Sequence, residues 1–129
     1  CARAAYEHAL AYAKERKQGG VSICQHQSVR ARLLTMFRKV EAARALSRRS
    51  MTFTLAAPIP ALQGSIASKI TATETAFEVA SMAIQMHGGN GVTREYPVEK
   101  LLRDARSSMI EDGCNEVLAI KGGALLSMA

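Results

Sequence analysis

The sequence predicts an all-α protein, an up-and-down four-helix bundle whose fourth helix is broken near Asp112-Gly113. Three observations carry that expectation. Apolar residues recur at helical spacing over long segments, and no alternation of period two runs far enough to make a strand. Glycines and prolines gather at a few points, leaving three long helical stretches and a broken fourth joined by short connections. Aromatic residues make up only 5% of the chain and Trp is absent, so small Ala-rich faces must do much of the packing, which suits helices in close contact.

Residues 2–17 form the first helix, with Ala2, Ala5, Ala9, Tyr12 and Ala13 at helical spacing. Gly19-Gly20 ends it, and Arg16 and Lys17 fall in the last turn, where cations meet the negative end of the helix dipole. The second helix, 28–49, is the clearest amphipath: Val29, Leu33, Met36, Phe37 and Val40 form one stripe, and Arg30, Arg32, Arg38, Lys39 and Glu41 face away. "AAPIPAL", with Pro58 and Pro60, reads as a loop, because proline in a helix interior removes a donor and clashes with the preceding turn. Leu62, Ile66, Ile70, Phe77 and Ile84 carry a third helix to residue 87, closed by the glycine run "HGGNG". "EYPVEKLLRDAR" begins the fourth, with Pro97 near the first helical position. Gly113 interrupts it, and a final segment, 115–127, is apolar on one side through Val117, Leu118, Leu125 and Leu126.

A chain of 129 residues makes one domain. Its 17 basic and 11 acidic residues leave a net charge of +6. A nucleic-acid surface is the sharp interpretation of that excess. However, no aromatic residues interleave with the basic ones, and acids are scattered among them in "EHALAYAKERK" and "FRKVEAARA". A solvated helix surface, or a cleft for an anionic small molecule, accounts for the charge better, and no nucleic-acid partner is expected. Cys1, Cys24 and Cys114 are odd in number and far apart, so they form neither a disulfide framework nor a metal site. They suit a reducing compartment, the bacterial cytoplasm or a mitochondrial matrix. No apolar run approaches the roughly 20 residues of a membrane span, and no secretory leader is expected. The first residues already read as the middle of a helix without a cap, so the chain is expected to be part of a longer protein.

Several stretches could carry chemistry. In "ERKQGG" (15–20), a guanidinium at a helix end could fork onto two phosphate oxygens, although a simple helix stop is the plainer reading. In "QMHGGNG" (85–91), the glycines either let a ligand approach the backbone or merely end a helix. His8, His26 and His87 have no partner at metal-ligand spacing, so no metal site is expected. Glu99 and Arg103, at i,i+4, read as a surface ion pair, as does Asp104 beside Arg103 and Arg106. Asp112 has two readings. It could cap the last helix by accepting from first-turn N–H groups, or it could be a general base within reach of a substrate proton. The residues alone favour the cap.

Taken together, "AYAKERKQGG…HQSVRARL", "QMHGGNGVTREYPVEKLLRDAR" and "IEDGCNEV", in this order and at these separations, resemble the carboxy-terminal helical domain of the acyl-CoA dehydrogenase family. These flavoproteins oxidise acyl-CoA thioesters between Cα and Cβ. The resemblance covers essentially the whole chain and implies a four-helix bundle that follows an amino-terminal helical domain and a middle β domain, both expected to be absent from residues 1–129. It assigns Arg16 to the FAD pyrophosphate of a neighbouring subunit, with Gln18 beside it. Gln85 and Gly89 would meet the adenosine end of FAD across the dimer interface, and Cys114 and Glu116 would lie near FAD. Asp112 matches the Glu that serves many members as catalytic base, and Glu111, turned away by helical geometry, is the poorer candidate.

Three positions depart from the family pattern. Gly19 stands where an aromatic residue usually meets the cofactor, and Cys114 replaces a hydroxyl donor with a weaker thiol. Asp112 is one methylene shorter than Glu, which draws the carboxylate back by roughly 1.5 Å. The implied reaction removes an α-proton from an acyl-CoA, passes a hydride from Cβ to FAD, and sends the electrons to an electron-transfer flavoprotein. The backbone N–H of Asp112 would help polarise the thioester oxygen. Family members form homodimers or homotetramers through this domain, and the isolated chain is expected to be inactive. Two alternatives stand beside this reading: a relative that binds acyl-CoA or flavin, or serves in assembly, without dehydrogenase chemistry, and a basic helical interaction module.

Overall fold

The computed structural model describes residues 1–56 and 61–127. Five helices follow one another: α1 (Ala2–Glu15), α2 (Gln27–Ala56), α3 (Leu62–His87), α4 (Val98–Ser108) and α5 (Asn115–Ser127). The last two are the halves of the broken fourth helix, separated by residues 109–114. α3 is the hub, in contact with α1, α2, α4 and α5. None of the described helices is long and apolar enough to cross a membrane. Of the "AAPIPAL" loop, residues 57–60 lie outside the described residues.

The core follows from small residues. Ala5, Ala9 and Ala13 form a stripe at i,i+4 on α1 and are fully buried, as are Val79, Ala80 and Ala83 on α3. With no bulk beyond Cβ on much of this face, α1 can lie close to α3. Met36 and Val40 of α2, Val98 and Ala105 of α4, and Ile23, Ala76 and Met86 join the same cluster. On α5, Gly122 is buried, and a Cβ there would stand 3.2 Å from Ile66 Cγ2, so this helix too packs tightly against α3.

The structure departs from the sequence expectation in four places. α1 ends at Glu15 instead of residue 17, and Lys17–Gln18 pairs antiparallel with Val21–Ser22 as a minimal hairpin, β1 and β2. The reason is the Gly19-Gly20 pair, whose φ values of 65° and 82° suit a tight turn that needs two left-handed residues. α2 begins at Gln27 and continues past residue 49 to Ala56. Phe37 is 46% exposed, at the edge of its stripe against the Tyr6 ring instead of in the core. Val117 and Leu126, expected on the inner side of α5, are exposed, while Leu118 and Leu125 are half-buried. α5 is apolar on most sides, so periodicity did not single out its inner face.

Candidate functional site

The residues singled out from the sequence fall into two clusters, one at the carboxy terminus of α3 and one beside its amino-terminal half. One surrounds the α3 carboxy terminus. Here Arg16, Gln18, Gln85 and Gly89, drawn from two stretches far apart in the chain, line one cavity of about 240 Å³. Gln18 and Gln85 also border a neighbouring hollow of about 410 Å³ that reaches His26 and Arg32.

Each wall of the cavity has a local cause. The Arg16 backbone is held on both sides, its N–H donating to Tyr12 O at 2.8 Å and its carbonyl accepting from Ile23 N at 2.8 Å. Ser22 Oγ lies 2.8 Å from the carbonyls of both Ala13 and Lys14, so the hairpin satisfies the end of α1. Among the described residues no carboxylate pairs with the Arg16 guanidinium. A Cβ built at Gly89 would meet nothing within 4 Å, which leaves the backbone there open to a ligand. An unpaired planar fork, two carboxamides and open glycine backbone make a donor set that fits a phosphate-bearing group.

Beneath the cavity lies an aromatic stack that the sequence reading missed. Tyr12 stacks on His87 with centroids 4.2 Å apart, and Tyr96 meets both rings edge-on. Asn90 Nδ2 donates to the Tyr12 hydroxyl at 3.1 Å, linking the glycine run to α1. His87 Nδ1 lies 2.8 Å from Ala83 O, and because a carbonyl can only accept, that nitrogen carries the proton. Burial pushes the His87 imidazole below its ordinary value, the Ala83 carbonyl opposes the shift, and His8 adds a smaller push downward. Burial thus disfavours the charged form of His87, which also borders the cavity.

The second cluster is the connection between α4 and α5. α4 unwinds through Ile110 and Glu111, whose amides both donate to Ser107 O. Asp112 then turns left-handed, with φ 54°, followed by Gly113 with φ 93°. Asp112 is exposed, and among the described residues its carboxylate caps nothing, because α5 begins only at Asn115. The cap reading therefore does not fit: the residue before α5 is Cys114, and Asp112 stands two positions further back. Cys114 and Glu116 flank the helix start. The Glu116 carboxyl is held below its usual range, first by its own backbone N–H and then by the Cys114 side chain, with Arg106 and Lys69 adding attraction.

The turn is tied to α3 by polar residues that the sequence reading did not select. Lys69 Nζ lies 2.9 Å from Gly113 O and 2.8 Å from Asn115 Oδ1. Asn115 is buried, and its Nδ2 donates to Thr73 Oγ1 at 3.0 Å. A lysine inside the apolar run "SIASKITA" was the available signal. The ion pairs of α4 are as expected for Glu99 and Arg103, joined by two contacts of 3.0 and 3.2 Å. Asp104, by contrast, pairs with Lys100 instead of an arginine. A further hollow of about 400 Å³, lined by Leu46, Phe53, Ala67 and Leu126 among others, gathers no cluster of reactive side chains.

The two clusters are distant. Lys69 and Gln85 mark them on the same helix, and at about 1.5 Å per residue they stand about 24 Å apart along its axis.

Comparison with known proteins gives a consistent result. The family model described as "Acyl-CoA dehydrogenase, C-terminal domain" matches residues 1–124. A probable acyl-CoA dehydrogenase of Mycobacterium tuberculosis is 40% identical over 121 residues, covering 90% of this chain and 30% of its own length. The structure of butyryl-CoA dehydrogenase from Megasphaera elsdenii superimposes with a TM-score of 0.90 at 36% identity, over 97% of this chain and 33% of that one. Glutaryl-CoA dehydrogenase from Mycobacterium smegmatis does so with a TM-score of 0.91 at 26% identity, over 99% of this chain and 33% of that one. The chain thus spans about a third of the length of these relatives.

Proposed function

The chain belongs to the acyl-CoA dehydrogenase family, as its carboxy-terminal domain, and from that premise we propose that it is the helical domain of an FAD-dependent enzyme that converts an acyl-CoA to its enoyl-CoA. The observation that carries the proposal is the convergence of Arg16, Gln18, Gln85 and Gly89 on one cavity, with no carboxylate paired to the Arg16 guanidinium among the described residues. That donor set fits the pyrophosphate and adenosine side of FAD, with Arg16 forking onto phosphate oxygens and the Gly88-Gly89 backbone admitting close approach. When bound, FAD would accept the hydride from Cβ.

The remaining chemistry belongs to the chain. Asp112 takes the α-proton, and the Asp112 backbone N–H donates to the thioester oxygen, where negative charge develops as the proton leaves. Donors of this kind are commonly worth about 3–4 kcal/mol each. Cys114 and Glu116, beside the same turn, would face the flavin. The separation of about 24 Å between the clusters supports a division of labour in which the Arg16 cluster serves one flavin and the Asp112 turn another, as in a homodimer or homotetramer. The apolar side chains left exposed on α5 (Val117, Ile120, Leu126) support an assembly that covers them. Electrons would leave to an electron-transfer flavoprotein, and residues 1–129 alone would be inactive, because acyl-CoA and most of the flavin need surfaces outside them.

The test uses the full-length protein that carries this domain. It is purified and exposed anaerobically to butyryl-CoA, glutaryl-CoA and a set of branched and cyclic acyl-CoAs while the flavin band is followed. Bleaching by one of them, abolished in Asp112→Asn, is the expected result and would also name the acyl class. Bound flavin that no thioester bleaches would favour the binding or assembly relative, to which the short Asp112 side chain and its exposure also point. A preparation without flavin would sink the FAD assignment.

A further inference from the structure

We infer that Lys69 is a positioning residue for the reaction: through Asn115 and Thr73 it locks the Asp112 turn to the central helix. The inference rests on the reading of Asp112 as the base.

The turn needs a lock. Asp112 and Gly113 both have positive φ, at 54° and 93°. Glycine crosses freely between left- and right-handed conformations, and aspartate is among the few other residues that adopt the left-handed one. Two such residues in succession form a pivot. A carboxylate on a free pivot samples many positions, and misplacement by about 1 Å can cost on the order of a hundredfold in rate. The exposed Asp112 side chain has no hydrogen bond of its own among the described residues, so its place is set by the backbone alone.

The lock is visible one layer away. Lys69 Nζ spans two acceptors, Gly113 O at 2.9 Å and Asn115 Oδ1 at 2.8 Å. The first bond fixes the plane of the peptide that leaves the pivot. The second ties the ammonium to a buried side chain at the start of α5. Asn115 is held in turn: its Nδ2 donates to Thr73 Oγ1 at 3.0 Å, and its backbone N–H donates to Met109 O at 3.0 Å, closing the turn on itself. Lys69 and Thr73 stand one helical turn apart on α3, so both anchors share one face of the most heavily contacted helix. A lysine suits the task because a compact ammonium carries three donors and can bridge acceptors at different heights, which an apolar side chain of the same length cannot do. Among the described residues no other hydrogen bond or ion pair joins residues 112–114 to α3. Removing the ammonium releases the Gly113 carbonyl and leaves Asn115 with one partner fewer, while the apolar packing of α3 is untouched.

The proposal predicts a split that general destabilisation would not produce. In the full-length holoenzyme, Lys69→Met should slow anaerobic flavin bleaching by the best acyl-CoA of the panel about 10- to 100-fold at saturation. The apparent Kd for that thioester and the thermal midpoint should stay close to wild type, and exchange of the Asn115 amide should speed up about tenfold or more. Asn115→Asp, which keeps an acceptor for Lys69, should bleach within about threefold of wild type. Asn115→Leu, which removes it, should behave like Lys69→Met. Unchanged bleaching in Lys69→Met, with Asp112→Asn inactive, overturns the positioning role and leaves the base assignment standing. An equal loss in binding, thermal midpoint and bleaching in Lys69→Met, repeated in Asn115→Asp, marks a merely structural lysine and also overturns it. If Asp112→Asn bleaches normally, the base assignment fails and the positioning role with it, while amide exchange still reports whether the tether exists.

Discussion

The carboxy-terminal end of α3 and its amino-terminal half border regions built on different principles. At its carboxy-terminal end, Arg16 and Gln18 sit on a hairpin pinned to α1, over a stack of Tyr12, His87 and Tyr96. Rigid elements converge from several directions, and the cavity is what remains between them. Beside the amino-terminal half a single turn carries Asp112, with two left-handed residues and a tether of three polar side chains to hold it. A site that must grip an anion can be assembled by packing alone. A base that must meet one proton needs its backbone placed to a fraction of an ångström, and on the reading proposed for Asp112 that placement would fall to Lys69, Thr73 and Asn115. The comparison predicts that damage in one region should spare the other.

The largest effect should come from the turn itself. Asp112→Asn keeps the left-handed preference and the size of the side chain but removes the proposed base, so flavin bleaching should slow by about 10²–10⁴-fold. FAD content should be unchanged, and a variant that loses flavin as well would break the separation of the two regions. Next is a core substitution that should respect no boundary. Met36 is fully buried, and Met36→Ala should cost about 2–5 kcal/mol in a denaturant titration of the folded protein, weakening both regions together. A smaller and more local effect is expected from Arg16→Ala, which should weaken FAD retention about 10- to 100-fold, the worth of a charge-assisted hydrogen bond. Amide exchange at residues 113–115 should not respond. If it did, the two clusters would be coupled through α3.

The smallest effect is a slope. Burial holds the folded-state pKa of His87 below its ordinary 6.5. Between the two values the unfolded chain therefore binds more protons than the folded one, and stability rises with pH. The contribution is fully present above the unfolded value and is lost as pH falls through 6.5 toward the folded-state value. His87→Phe keeps a ring for Tyr12 to stack on and should flatten that part of the profile, read as thermal midpoints at a series of mildly acidic pH values. An unchanged slope would assign the acid sensitivity to other groups.

Much of this molecule was legible in its sequence. Helical periodicity is a local property, so α1 to α4 follow from the spacing of Ala5, Ala9 and Ala13, of Met36 and Val40, and of the apolar run from Ile66 to Ile84. Breakpoints are local too, since glycine and proline act on their own dihedral angles, and Gly113 marked the split of the fourth helix. The grouping of Arg16, Gln18, Gln85 and Gly89 was available only through an ordered set of motifs that resemble a family, because nothing in their spacing says that Arg16 and Gln85 share a cavity. Other features depended on the assembled fold. The Gly19-Gly20 hairpin was hidden because the same pair also ends a helix. The inner face of α5 was hidden because that helix is apolar nearly all round. The centrality of α3, the distance between the clusters and the bond from Lys69 to Gly113, across 44 positions, had no local signature. The physical reason is that periodicity reports which face of a helix avoids water, whereas the partner that each buried polar atom finds is decided only when the helices pack and every remaining donor must meet an acceptor.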